Sequence, residues 1–241
     1  ASICRPDRIR ETSSTALMPI LLSLECSTSV CSAALHQDGQ LITQKEVHTP
    51  QAAASQLSQL IDENIRTSGI SKSHLSGVAV AYGPGSYTGL RIGLATAKGI
   101  CYGLDIPLIT LDSLHIMASS IKPVGDGRWL CPMIDARRME VYVCLLTEDL
   151  RVIQPTRPVI LDETSFAKEL TDHPIAFFGN GAAKCEPVIS SPRATFIQGV
   201  YPRAADMGML AFNKFEQGEF ADVRTVEPLY LKEFLVKTKS S

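Results

Sequence analysis

The chain has 241 residues, 45% of them hydrophobic and 20% charged, and a formal net charge of −2 at pH 7. That length suits one large domain or two lobes with a core each, and a charge so near balance excludes binding to nucleic acid through the whole surface. Seven cysteines without a C-x-x-C pair, five scattered histidines and no long apolar run exclude a disulfide framework, a zinc cluster and a membrane helix.

Residues 1–17 carry Arg5, Arg8, Arg10 and a Ser/Thr cluster but no apolar centre, so they do not form a secretory signal. Met18-Pro19-Ile20 reads as a native start, and 1–17 is expected to be a disordered or non-native leader outside the fold. Residues 20–25 then predict a strand ending in an acid, Glu25, followed by the polar turn Cys26-Ser27-Thr28-Ser29. Residues 30–36 and 40–46 predict two more strands, joined by the hairpin signal Asp38-Gly39. A helix is expected from Gln51 to Thr67, with Leu57, Leu60, Ile61 and Ile65 on one face and Ala52-Ala53-Ala54 as a small surface near its start.

Next comes the stretch on which the chain turns. Residues 77–82 predict a buried strand, and Gly83-Pro84-Gly85 forces a turn, since Pro fixes φ and its flanking glycines reach φ values closed to other residues. Ser86 or Thr88 can cap the helix that follows. Gly89, Gly93 and Ala97 recur in it every four residues, with Gly99 and Gly103 adding to the small-residue content. An interior Gly costs about 1 kcal/mol against Ala, so the repeat needs a reason. The stripe lets another backbone approach closely, and that backbone belongs either to the chain's own sheet or to a partner. A glycine turn before a helix can also face an anion through Gly85 and Ser86. However, no Gly-Lys-Ser/Thr closes this one, and Thr88 stands where G-x-G-x-x-G needs its third glycine.

A short strand at 107–110 ends the first half. The second begins with a helix capped by Asp112 or Ser113, a loop at Gly125-Asp126-Gly127, and a strand at 129–135 that again ends in an acid, Asp135. Further strands are expected at 139–146, 159–161 and 175–178, and helices at 163–170 and 204–217, before the extended ending Pro228-Leu229-Tyr230-Leu231.

The run Gly83-Pro84-Gly85-Ser86-Tyr87-Thr88-Gly89-Leu90-Arg91-Ile92-Gly93 resembles the signature of the bacterial TsaB (YeaZ) family, and Ile134-Asp135-Ala136-Arg137 and the Pro-Leu-Tyr-Leu ending resemble it too. The resemblance implies an α/β fold of two ribonuclease-H-like lobes, as in the actin/Hsp70/sugar-kinase superfamily, with the second lobe reduced. The lobes are expected at 18–110 and 111–241. It further implies a non-catalytic subunit that pairs with a TsaD-type transferase to make threonylcarbamoyladenosine in tRNA, in the cytoplasm. A TsaE-type ATPase and tRNA would be met only through the complex, and a homodimer would form when the chain is alone. Ala53, Leu57, Gly89, Gly93 and Ala97 would then face the partner. Ala53 stands where many members carry a His, which leaves the role of that position open.

Two other classes compete. The superfamily suggests an ATP-dependent phosphotransferase or nucleotide-binding protein, with Glu25, Ser27, Thr28, Gly85, Ser86 and Asp135 facing the nucleotide. Yet an aspartate normally stands where Glu25 stands, and the extra methylene moves the carboxylate by about 1.5 Å, a misplacement of the size that costs ~10²-fold in rate. A zinc peptidase needs three protein ligands around an open metal position, and neither that cluster nor a G-x-S-x-G frame is present. The expected reading is an interaction subunit without metal or cofactor.

Overall fold

The computed structural model describes residues 18–49 and 52–231, so the expected leader lies outside the described residues. The strands form two five-stranded sheets. The first comprises β1 (Ile20–Glu25), β2 (Cys31–Gln37), β3 (Gln40–Val47), β4 (Leu75–Gly83) and β5 (Leu108–Asp112), in the order β3-β2-β1-β4-β5. β1, β2 and β3 run antiparallel, and β4 and β5 join parallel to β1. At the β2–β3 hairpin, Asp38 and Gly39 have φ of 49° and 77°, the positive values a two-residue hairpin turn requires.

Alternation along these strands builds two cores. Leu22, Leu24, Val78 and Val80 turn to the face covered by α1 (Ala52–Ser68) and α2 (Tyr87–Leu104), meeting Leu57, Leu60, Leu94 and Ala97. Leu21, Ala79 and Ala81 turn the other way, toward Ile116 of α3 (Ser113–Ser119) and Ala204, Met207 and Ala211. Buried His36 fixes that second layer. Burial lowers its pKa, so the ring is neutral: Nε2 donates to the Ala205 carbonyl at 3.1 Å and Nδ1 accepts from Ser23 Oγ at 3.1 Å.

The second sheet comprises β6 (Trp129–Asp135), β7 (Glu140–Leu146), β8 (Val152–Ile160), β9 (Ile175–Phe178) and β10 (Ala194–Ile197), in the order β10-β9-β6-β7-β8. The pairing repeats the first sheet: three antiparallel strands, then two added parallel. The fold is thus two ribonuclease-H-like lobes, and the second is the lighter one. It carries the six-residue helix α4 (Ala167–Asp172) where the first carries α1 and α2. α3 holds the two together, because its Ile116 enters the first lobe's core while Leu114, Met117 and Ala118 enter the second's. A hydrogen bond from Thr156 Oγ1 to Asp112 Oδ2, at 2.6 Å, ties β8 to the end of β5.

Differences from expectation have local causes. β8 runs for nine residues although it contains Pro155 and Pro158, which an edge strand tolerates because one side of its backbone needs no partner. β10, another edge, was not expected. Residues 162–165 form a turn around the Asp162 carboxylate, which accepts from Thr164 N at 2.9 Å, and this delays the helix to Ala167. After β10 the chain returns to the first lobe. The 3₁₀ turn Ala204–Met207 and α5 (Gly208–Gln217) pack there, Ala221 N donates to Leu108 O at 2.8 Å, and Leu229 N donates to Tyr82 O at 2.7 Å. Residues 204–229 therefore lie on the first sheet, although chain order groups them with the second.

Candidate functional site

Two places follow from the sequence: the turn after β1, and the helix α2 above it. The turn is sealed. Glu25 is fully buried, its Oε1 accepts from Ser27 N at 2.8 Å, and burial pushes its pKa up to about 8. At neutral pH it is a neutral acid. Its Oε2 and the Ser27 hydroxyl have no partner among the described residues. Thr28 is occupied locally, its Oγ1 accepting from Val30 N at 3.3 Å.

The glycine loop clasps this turn. Ser86 N donates to Ser27 O at 2.6 Å, and Ser86 Oγ accepts from Gly89 N at 3.3 Å as the cap of α2. A Cβ on Gly85 would strike the Ser27 carbonyl, and one on Gly89 would strike the Cys26 carbonyl. Here glycine is required by close approach, and the visitor is the chain's own turn rather than an anion. Asp135, at the equivalent place in the second lobe, behaves differently. It is exposed, ion-paired with Lys184, and accepts from Arg137 N at 2.6 Å; its own N–H donates to Asn180 Oδ1 at 2.9 Å. Its contacts stay within the second lobe, and those of Glu25 within the first. Among the described residues, no three His, Cys, Asp or Glu side chains gather in metal-binding reach. In this arrangement Glu25 and Ser27 are enclosed, and Asp135 is engaged by Lys184.

The expected partner stripe needs correction. Gly89, Gly93 and Ala97 are buried, as is Leu57 of α1, and a Cβ on Gly93 would sit 3.6 Å from Val80 Cγ2 and 3.7 Å from Cys26 Cβ. They face the chain's own sheet and turn. Ala53 lies in the first turn of α1, but its surroundings are outside the described residues. The outward face of α2 carries Arg91, Ala95, Gly99, Tyr102 and Gly103. A Cβ on Gly99 or Gly103 would meet nothing within 4 Å, and Tyr102 is 85% exposed. Ala95, Gly99 and Gly103 repeat the four-residue spacing of the inward stripe, so the sequence carries both stripes with one and the same signal. At the N-terminal end of that face Arg91 lies over the Tyr87 ring at 4.0 Å and donates to Tyr230 OH at 2.9 Å, pinning the C-terminal segment to α2.

Residues 40–198 match the family described as TsaD: tRNA N6-adenosine threonylcarbamoyltransferase. The TsaB protein of Bacillus subtilis (strain 168), a tRNA threonylcarbamoyladenosine biosynthesis protein, is 30% identical over 225 residues, covering 88% of this chain and 93% of its own. The chain belongs to this family, on its TsaB branch. The TsaB protein of Escherichia coli (strain K12) is 27% identical over 219 residues, 88% of this chain and 94% of that one. A crystal structure of a Pseudomonas aeruginosa protein described as similar to peptidase YEAZ superposes with a TM-score of 0.80 at 24% identity, over 89% of this chain and all of that one. It shares the fold.

Proposed function

We propose that this chain is a non-catalytic subunit that pairs with a TsaD-type threonylcarbamoyltransferase in making N6-threonylcarbamoyladenosine in tRNA. The observation that carries the reading is the outward face of α2, where Ala95, Gly99 and Gly103 leave the helix backbone open beside exposed Tyr102. Small residues let a second helix approach closely, and an exposed aromatic supplies an anchor of the kind that dominates interface energies. Support also comes from relatives of nearly equal length that bear the TsaB name. A TsaE-type ATPase and tRNA join through that complex, and the same face serves a homodimer when the chain is alone. The cytoplasm is the proposed location, and no helix among the described residues is long and apolar enough to cross a membrane.

The test is co-purification with a TsaD-type protein, followed by tRNA threonylcarbamoylation with and without this chain. Modification should depend on the pair and persist with Asp135→Ala. ATP turnover by the isolated chain that Asp135→Ala abolishes would replace the scaffold with a phosphotransferase.

A further inference from the structure

Beneath the inward face of α2 lies a pair of thiols that the partner reading does not use. Cys26 and Cys31 flank the turn 27–30, both are buried, and their Sγ atoms are 3.5 Å apart. Glu25 and Ser32 are register partners in the β1–β2 ladder, so Cys26 and Cys31 are the next opposed pair beyond it. Opposed residues of an antiparallel ladder hold their Cα atoms about 4.5–5.5 Å apart, inside the range of about 4.4–6.8 Å that a disulfide spans. Bond formation would bring the sulfurs from 3.5 Å to about 2.05 Å. Among the described residues no other two thiols lie within hydrogen-bonding distance. Cys101 donates to Pro107 O and Cys185 to Met133 Sδ instead.

We propose that Cys26 and Cys31 form a reversible dithiol–disulfide couple, a modification site at which a small hydroperoxide closes the turn and shifts the seat of α2. The two sulfurs are not equivalent. The hydrogen bond between the two sulfurs lowers the Cys31 pKa and raises that of Cys26, so the proposal takes Cys31 as the first nucleophile. Its thiolate attacks the terminal oxygen of the hydroperoxide and breaks the O–O bond. The products are a Cys31 sulfenic acid and, after protonation, the alcohol, or water when the oxidant is hydrogen peroxide. Cys26 then attacks the Cys31 sulfur, and the sulfenic oxygen leaves as water with the Cys26 proton. Two electrons pass from the sulfurs to the peroxide, and a dithiol reductant reverses the change.

The link to α2 is direct packing. The Cys26 Sγ lies 3.9 Å from the place a Gly93 Cβ would take, and the Cys26 carbonyl fills the space over Gly89. Drawing that sulfur toward Cys31 removes it from Gly93.

The experiment treats the full, reduced chain with graded hydrogen peroxide, blocks free thiols with a maleimide, and maps peptides by mass. The peptide holding both cysteines should appear two hydrogens lighter and unalkylated, and dithiothreitol should restore both alkylation sites. With Cys26→Ser the resolving thiol is gone, and a sulfenic-acid trap should label Cys31. Cys31→Ala should leave Cys26 a free thiol. Amide exchange over the first two turns of α2 should be faster in the oxidised chain than in the reduced one. The proposal is overturned if, after peroxide treatment of the folded wild-type chain, both thiols are still alkylated once denaturant exposes them while exposed methionines have oxidised. It is equally overturned if Cys31 proceeds to sulfinic acid without a disulfide, or if the disulfide forms and α2 exchange is unchanged. The wild-type mapping decides the matter even where a variant does not fold.

Discussion

The two faces of α2 are built from the same residues and do opposite things. Inward, Gly89, Gly93 and Ala97 admit the Cys26–Ser27 turn and the sheet; outward, Ala95 is exposed, and Gly99 and Gly103 meet nothing from the described residues. Glycine is costly in a helix on either face, by about 1 kcal/mol against Ala. On the inward face the structure shows the compensation, which is a close backbone contact capped by Ser86. On the outward face no compensation exists within the described chain, which is why the proposed function assigns that face to a partner. A small-residue repeat therefore tells where a backbone can approach, while burial tells whose backbone it is.

The comparison can be broken at several points, beginning where the effect is largest. Gly89→Ala places a methyl into the Cys26 carbonyl. Neither backbone can yield cheaply, so stability should fall by about 3 kcal/mol or more, read as a drop in the denaturant midpoint. A midpoint within experimental error of wild type would mean that the clasp is loose.

Glu25→Gln sharpens the inward side through pH. The folded pKa of about 8 exceeds the ordinary value of 4.5, so between these values the folded chain holds a proton that the unfolded chain releases. Stability contributed by Glu25 is full below the unfolded value and declines as pH rises toward the folded one. The neutral amide removes that dependence. Glu25→Gln should match wild type near pH 4.5 and exceed it by a few kcal/mol near pH 8. Parallel pH–stability curves for the two would show that the carboxyl is solvated.

Gly93→Leu is the milder inward change. Its new side chain meets Val80 and Cys26 at van der Waals distance and then overfills the layer, for about 1–3 kcal/mol of lost stability. Partner affinity of the folded fraction should be unchanged. A fall in affinity with a normal midpoint would return the interface to the inward stripe.

Much of this architecture was legible in the residues. Strand alternation, Asp38-Gly39, the Ser86 and Asp112 caps and the acid at the end of β1 and β6 all stand where pattern and turn chemistry put them. Of β8 only the end was legible, as the strand expected at 159–161, because two prolines disguise the rest of an edge strand; β10 escaped because a four-residue edge has too little alternation to register. The orientation of α2 escaped for a deeper reason. Its two small-residue stripes have the same period, so periodicity could not say which one the sheet would cover. Cys26 and Cys31 are likewise unremarkable five residues apart until the hairpin register sets them opposite each other.

The smallest expected effect on stability belongs to the most direct test. Gly99→Leu adds a side chain where a Cβ meets nothing within 4 Å, and it replaces glycine by a better helix former. The stability of the isolated chain should therefore hold or rise slightly, by up to about 1 kcal/mol, with a thermal midpoint no lower than wild type. At a helix–helix interface the same bulk should cost about 1–3 kcal/mol, which weakens the dissociation constant for a TsaD-type partner by roughly 5- to 150-fold. The decisive measurement is that constant, by calorimetry, for wild type and Gly99→Leu at equal folded fraction. A weaker complex from an equally stable chain is the predicted result. An unchanged dissociation constant would contradict the assignment of the outward face of α2 to the partner.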